Sequence, residues 1–268
     1  MRLLSRRHFH SAAFLFPSPA LSARLAAALV AGATLAGCAE APVTGRQQLI
    51  LVDEAQANQL GAEAWQQIKA EKPVAEASAL QSKVERIGRE LIAASGAQGL
   101  DWEFQVFDDP TPNAFALPGG KIGLHSGMAQ IASTDAQLAA VLAHEVGHVV
   151  ARHPSEQMSQ SAAIQTALGA AGANEGVVGQ LVQLATGVGA LSFSRSAEAE
   201  ADRIGLEYMA RAGYDPRAAV DLWRNMAQAT TAAGRPPEFL STHPNPESRI
   251  TAIENALPEV MPLYRANR

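Results

Sequence analysis

The sequence contains a single cysteine, Cys38, among its 268 residues. An internal disulfide is therefore excluded, even in a compartment that would permit one. The chain also has no low-complexity block and no internal repeat, and 47% of its residues are hydrophobic while 18% are charged. This composition is typical of a globular protein with a sizeable core, and it argues against a disordered or repetitive chain.

Acidic residues are absent from the first 37 positions, which carry four arginines, an Ala/Leu run from Leu25 and then "LAGC" ending at Cys38. This order predicts an export signal over residues 1–37, and the tetrapeptide resembles a bacterial lipobox. We therefore expect cleavage before Cys38 and acylation of that cysteine. Because "SRRHF" at 5–9 also resembles a twin-arginine motif, the general secretory and twin-arginine routes both stay open.

The predicted mature chain has no net positive charge. Its formal charge is −9, since the loss of four arginines lowers the −5 of the whole sequence. An acidic protein repels phosphate backbones, so nucleic acid is excluded as a partner. Ala39, where an Asp would retain a lipoprotein at the inner membrane, favours the periplasmic side of the outer membrane by resemblance to known sorting signals. We assign residues 38–52 to a lipidated tether and 53–268 to one folded domain.

Hydrophobic periodicity predicts helices over residues 53–70 and 76–95. The alternation in "WEFQVFDD" (102–109) indicates a half-buried strand, and "NAFALPGGKIGLH" (113–125) indicates two strands joined by a Pro-Gly-Gly turn. A small antiparallel sheet inside a mainly helical chain is expected, which is an α+β fold. The nearly uncharged stretch 157–194 favours a packed helical pair or lid over a membrane hairpin.

A capping box formed by Thr134 and Gln137 predicts the start of the helix that carries "HEVGH". His144 and His148 lie four residues apart on this helix, so both side chains can reach one metal ion. Glu145 points to the side, where it can act on water. The helix is apolar on nearly every side, and a buried helix requires partners for such polar groups.

Catalytic zinc takes three protein ligands and leaves one position open. The extended metzincin pattern is absent, because Ala151 and Pro154 occupy the positions of its Gly and third His. His153 falls at the wrong offset, and we expect it to end the helix and offset the helix dipole. A later carboxylate is then the third ligand, and the candidates are Glu156, Glu175 and the acids of "SAEAEADRIG".

Only the last cluster lies on a good helical pattern. Glu198 and Asp202 are four residues apart and share a helix face, whereas Glu200 points away from them. We predict that Glu198 binds zinc, that Asp202 fixes the ring of a ligand histidine, and that Glu200 takes no part.

These motifs, together with "NAFALPGGKIGLHSG" and "STHPNPESRI", resemble in this order the HtpX/LoiP-like gluzincin zinc metalloproteases, a family that includes the CAAX prenyl endopeptidase. The resemblance covers about residues 40–257. It implies a zincin-like α+β fold, mainly helical, with a small antiparallel sheet beside the active-site helix. It also implies one Zn²⁺ held by His144, His148 and Glu198, with Glu145 as the base. The flanking transmembrane helices and the repeat domain of some members are not found in this sequence.

The same resemblance points to two further regions. His243, in "THPNP", is expected near the zinc as an oxyanion donor or as a fourth ligand that keeps the protease latent, unless it is an ordinary loop residue. Asn113, Ala114 and Phe115 resemble the family's substrate-binding edge strand, to which an extended peptide can add.

Three functions follow as hypotheses. The first is a zinc endopeptidase that cleaves unfolded or misassembled envelope proteins in quality control. The second is a latent assembly factor or chaperone of the outer membrane. The third is a zinc hydrolase of a non-peptide bond.

Overall fold

Helices make up most of this computed structural model, which describes residues 38–75, 78–167, 179, 181–183, 192–233, 239–243 and 246–268. The helices are, in chain order, α1 (Glu54–Glu71), α2 (Ala79–Ser95), α3 (Met128–Ile131), α4 (Asp135–Val150), α5 (His153–Ala167), α6 (Arg195–Arg211), α7 (Arg217–Ala233), α8 (Phe239–Thr242) and α9 (Pro246–Asn267). The strands are β1 (Cys38–Glu40), β2 (Gln47–Leu49), β3 (Glu103–Phe107), β4 (Ala114–Leu117) and β5 (Lys121–His125). The predicted α+β class with a mainly helical chain is confirmed.

The predicted hairpin supplies two of the three strands of the larger sheet. β4 and β5 pair antiparallel, with Ala114 opposite Leu124, and Gly119 and Gly120 supply the positive φ angles of the turn, 81° and 85°. β3 joins the other side of β5 in parallel, so the strand order is β3-β5-β4 and the sheet is mixed. β4 is therefore an edge strand of this sheet.

Helix α4 runs through the core. Its first turn is fixed by the predicted capping box, in which Thr134 Oγ1 accepts from Gln137 N at 3.2 Å and Gln137 Oε1 accepts from Thr134 N at 3.3 Å. All residues from Gln137 to Val149 are buried. A helix apolar on every side is stable only inside the protein, so the sequence of α4 itself dictates its central position.

Helix α6 packs against α4 at very short range. Gly147 of α4 faces the backbone of Ala201, and Gly205 of α6 faces the backbone of Ala143. Side chains at these glycines would hold the two helices apart, so the small residues permit the approach. α6 begins at the N-cap Ser194, whose side chain accepts from Ala197 N.

The segment assigned to the tether is partly structured. β1 and β2 form a two-stranded sheet, and the buried Gln48 of β2 donates to Ala151 O at 2.6 Å. Leu51 N donates to Ser159 Oγ of α5 at 2.9 Å. From Ala39 onward the described part of this segment belongs to the same compact unit as the folded domain.

Some predictions fall outside the described residues. The signal peptide 1–37 does, and so does most of the predicted helical pair or lid beyond the end of α5. Among the described helices, none combines the length and the apolar character needed to cross a membrane.

Candidate metal centre

The two histidines of α4 direct their rings toward a common point. Nε2 of His144 and Nε2 of His148 lie 3.0 Å apart, and both side chains are buried. One helical turn separates the residues, which places both rings on one face of α4. Phe193, just before α6, stacks on the ring of His148 with a centroid distance of 4.1 Å.

Glu198 in the first turn of α6 lies beside them. Its carboxylate oxygens lie 3.5 Å from His144 Nε2 and 3.4 Å from His148 Nε2. The close packing of α4 and α6 makes this possible, because it brings the first turn of α6 alongside the last turns of α4. Glu198 is 2% exposed.

His243 completes a group of four donors. Its Nδ1 lies 2.9 Å from Glu198 Oε1 and 3.2 Å from His144 Nε2. One ligand atom from each of His144, His148, Glu198 and His243 lies within 4.8 Å of all the others. Imidazole nitrogens and one carboxylate oxygen are the donors that zinc takes in proteins, so this group fits a zinc ion.

Glu145 lies beside the four donors. It is fully buried, and within the described part of the chain no hydrogen bond reaches either of its carboxylate oxygens. The imidazole of His243 lies nearby, with Nε2 3.6 Å from Glu145 Oε1. Burial raises the pKa of Glu145. A buried carboxylate that accepts no hydrogen bond from the described residues, next to a group of metal donors, is suited to accept a proton from water.

Asp202 lies against the ring of His144. Its Oδ1 lies 3.0 Å from His144 Nδ1, which leaves Nε2 directed at the other donors. Burial acts to raise the pKa of Asp202, but the charge and hydrogen bonds of Arg249 together with His144 outweigh it and lower the pKa.

Arg249 of α9 was not identified from the sequence. Its Nε donates to Asp202 Oδ2 at 2.7 Å, a second nitrogen donates to Glu198 Oε2, and its guanidinium lies 3.8 Å from the ring centroid of Trp223. The residue lies within the quoted motif "STHPNPESRI", but the pattern alone does not say that an arginine there is buried. Its charge is paired with two buried carboxylates, as a buried guanidinium requires.

The protonation of the two α4 histidines differs. Burial and Arg249 act to lower the pKa of His144, but the carboxylates of Asp202 and Glu198 raise it to about 9. Burial and the neighbouring His144 hold the pKa of His148 well below its usual value. A metal ligand must give up its proton, so an ion bound here would displace the proton of His144.

Two expectations about neighbouring residues need correction. Glu200 is outside the group of four donors, as expected, but it is buried and pairs with Arg46 and His153. His153 does not end α4. Helix α4 stops at Val150, Arg152 takes a left-handed φ of 59°, and His153 begins α5 as a buried residue.

The edge strand proposed to bind substrate, β4, is covered by other residues in this structure. Asn113 and the residues of β4 are at most 2% exposed, although β4 is last in the strand order. The ring of Phe115 packs against Trp65 and Phe107 in the core, and Pro112 O accepts from Phe239 N at 3.2 Å. An extended peptide therefore needs this edge to be uncovered before it can pair with β4, and the role of Asn113, Ala114 and Phe115 stays a prediction.

Comparison with known proteins agrees with this geometry. Residues 78–257, more than half of the chain, match the family model of "Peptidase family M48". The chain belongs to peptidase family M48. Membership confirms the resemblance to metalloproteases at the level of the family, and M48 peptidases are metalloendopeptidases that use zinc.

Two relatives show how far the likeness extends. The "Mitochondrial metalloendopeptidase OMA1" of Schizosaccharomyces pombe is 44% identical over 177 residues, which cover 66% of this chain and 52% of the relative. The "Beta-barrel assembly-enhancing protease" of Escherichia coli (strain K12) is 30% identical over 262 residues, which cover 91% of this chain and 54% of the relative. This M48 chain thus spans about half the length of the curated relatives it matches.

Proposed function

We propose that this M48 chain is a zinc-dependent endopeptidase that cleaves unfolded or misassembled proteins of the bacterial envelope. The observation that carries the proposal is the position of Glu145, a buried carboxylate that no described residue hydrogen-bonds, beside the four convergent donors. Held by His144, His148 and Glu198, zinc would supply Lewis acidity that polarises a peptide carbonyl and makes water nucleophilic at neutral pH.

The residues of the chain would then divide the remaining work. Glu145 takes the proton from the attacking water and passes it to the amine that leaves. Asp202 holds the His144 ring so that Nε2 stays directed at the ion. His243 is either a donor to the oxyanion or a fourth ligand that closes the site, and its place among the four donors supports the second role.

The proposed substrate class rests on two arguments: the low sequence selectivity of peptide binding along β4, and the relatives. A peptide that adds to β4 binds through backbone hydrogen bonds, which read little of the side-chain sequence. Extended, unfolded chains are therefore the expected substrates. The Escherichia coli relative is a β-barrel assembly-enhancing protease, which supports a role in envelope quality control.

Location follows from the N-terminal sequence. Within M48 we place this chain with the HtpX/LoiP-like lipoproteins, anchored by an acylated Cys38 to the periplasmic side of the outer membrane. Incorporation of a labelled fatty acid into the wild type and into Cys38→Ala tests the anchor, and equal labelling of both would refute it.

Casein digestion by the purified protein tests the activity. We expect digestion that a chelator stops, that added zinc restores, and that Glu145→Gln abolishes while zinc stays bound. Glu63→Gln is the matched control, because Glu63 is exposed on α1, and it should keep full activity. Hydrolysis of small esters without casein digestion would contradict the proposal and favour a hydrolase of non-peptide bonds.

One second function has a specific observation behind it. His243 lies among the donors and the β4 edge is closed, as a latent assembly factor or chaperone would require. Zinc binding without proteolysis under any condition, together with suppression of client aggregation, would favour this function over the endopeptidase.

A further inference from the structure

A buried chain of polar contacts runs from His148 away from the metal donors. The Nδ1 atoms of His148 and His153 lie 2.9 Å apart, and Nε2 of His153 lies 3.1 Å from Glu200 Oε2. His153 is 1% exposed and Glu200 is 7% exposed. His153 thus lies on the side of the His148 ring opposite to the atom that faces the other donors.

One pattern of hydrogens fits these contacts when His148 binds a metal through Nε2. Glu200 pairs with Arg46 and is a carboxylate that only accepts, so Nε2 of His153 donates to it. In a neutral imidazole the other nitrogen is then a bare acceptor. Nδ1 of His153 can therefore accept from Nδ1–H of His148, which leaves the lone pair of His148 on Nε2, the atom that faces Glu198.

The N-terminal segment holds the far end of this chain. Arg46 Nε lies 2.5 Å from Glu200 Oε2, and a terminal nitrogen of the same guanidinium lies 2.6 Å from Glu156 Oε2. Thr44 also donates to Glu200. Glu200 consequently has partners on two sides that restrict its rotation, and His153 meets a fixed acceptor.

We propose that His153 is a positioning residue for the metal ligand His148, oriented by Glu200, which Arg46 of the N-terminal segment holds in place. The inference rests on the proposed zinc site and deepens it. It assigns to His148 the kind of outer partner that Asp202 provides for His144. It also links residues a few positions after Cys38 to the geometry of the metal donors.

Two substitutions at position 153 separate positioning from packing. In His153→Asn the side-chain oxygen can occupy the place of Nδ1 and still accept from His148, whereas in His153→Gln the amide reaches toward Glu200 and the acceptor near His148 is lost. We expect His153→Gln to weaken zinc binding by about 10- to 100-fold, the usual effect of losing an outer partner, and His153→Asn, which keeps the acceptor for His148 but loses the contact with Glu200, to weaken it clearly less. Zinc affinity is measured by competition with a chromophoric chelator.

A second pair tests the link through Glu200. Glu200→Met removes the acceptor of His153, whereas Glu156→Met removes the other carboxylate of Arg46 and leaves His153 untouched. We expect weaker zinc binding in the first variant and unchanged zinc binding in the second. Thermal unfolding after removal of zinc shows that each variant is folded.

The outcomes are distinct. A wild type that does not bind zinc would refute the proposed function as a whole. A wild type that binds zinc, with folded His153→Gln and Glu200→Met within twofold of it, would refute only the positioning role. Equal weakening by His153→Asn and His153→Gln would also contradict it, because packing alone would then explain both.

Discussion

The imidazole of His243 lies against the carboxylate of Glu198, with Nδ1 2.9 Å from Oε1. Zinc bound at this group would meet four protein donors, whereas a catalytic site keeps one position open. We therefore expect His243→Ala to raise casein digestion. If the state in which His243 occupies the fourth position is more stable than the open state by about 1.4 kcal/mol, the rate is held down about tenfold. Removal of His243 is then expected to raise the rate by about that factor.

The control for this prediction lies two residues before His243. Ser241 of α8 is exposed, and Ser241→Ala should leave the rate unchanged. If His243 instead donates to the oxyanion, His243→Ala should lower the rate by roughly 100- to 1000-fold. That loss would contradict latency.

Arg249 stabilises the protein by pairing with two buried carboxylates, those of Asp202 and Glu198. Loss of one partner of a buried ion pair costs about 3–5 kcal/mol, because the other charge is left uncompensated. We expect Arg249→Met to lower the free energy of unfolding by that amount after zinc is removed. With zinc present the loss should be smaller, since the ion would compensate Glu198. Urea unfolding with and without zinc measures both values.

Arg224→Met is the matched control for Arg249. Arg224 pairs with Glu254 at 2.8 Å, but its side chain is 54% exposed, and exposed pairs contribute about 0–1 kcal/mol. An Arg249 variant no less stable than the Arg224 variant would show that the buried pairing adds nothing.

Most residues of the centre were assigned from helical period, whereas His243 was expected near the zinc only from the family resemblance. His144 and His148 are one turn apart on α4, and Glu198 and Asp202 are one turn apart on α6, so spacing alone assigns their faces. The start of α4 was also predicted from a local signal, because a capping box involves residues only three positions apart.

The remainder depends on long-range contacts, which the period of a sequence does not contain. Glu200 points away from Glu198 as predicted, but Arg46, 154 positions earlier, covers it. His153 was assigned to the end of α4, but it begins α5, because the left-handed φ of Arg152 interrupts the helix between them. The parallel pairing of β3 with β5 likewise has no local signal.

His125 gives the protein a pH-dependent stability that is separate from the metal centre. It is 0% exposed, and burial together with Lys72, whose Nζ is 3.1 Å from Nε2, lowers its pKa to about 4 from 6.5. Between these values the unfolded chain binds a proton that the folded chain does not. The stabilisation is therefore complete above pH 6.5 and is lost as the pH falls to 4, by on the order of 3 kcal/mol.

The variant His125→Gln removes this titration. We expect its free energy of unfolding to change less than that of the wild type between pH 7 and pH 4.5, measured by urea unfolding at several pH values. Parallel pH dependences of the two proteins would show that the pKa of His125 is not lowered by folding.

Gly147 sets the distance between the two helices that carry the zinc donors. A Cβ there would lie 2.7 Å from Ala201 O and 3.2 Å from Ala201 Cα, both of them backbone atoms that cannot rotate away. Gly147→Ala gains about 1 kcal/mol in helix propensity, but overpacking costs about 1–3 kcal/mol. We therefore expect a net loss of stability.

Gly147→Ala should also weaken zinc binding. Since Glu198 would move away from His148 with its helix, zinc affinity should fall about tenfold, at the lower end of the effects of disturbing a metal site's surroundings. Gly99→Ala, whose Cβ would meet nothing within 4 Å, should change neither quantity. Zinc affinity equal to wild type in a folded Gly147→Ala protein would mean that α6 can shift without moving Glu198, and that the close approach of the helices serves the core alone.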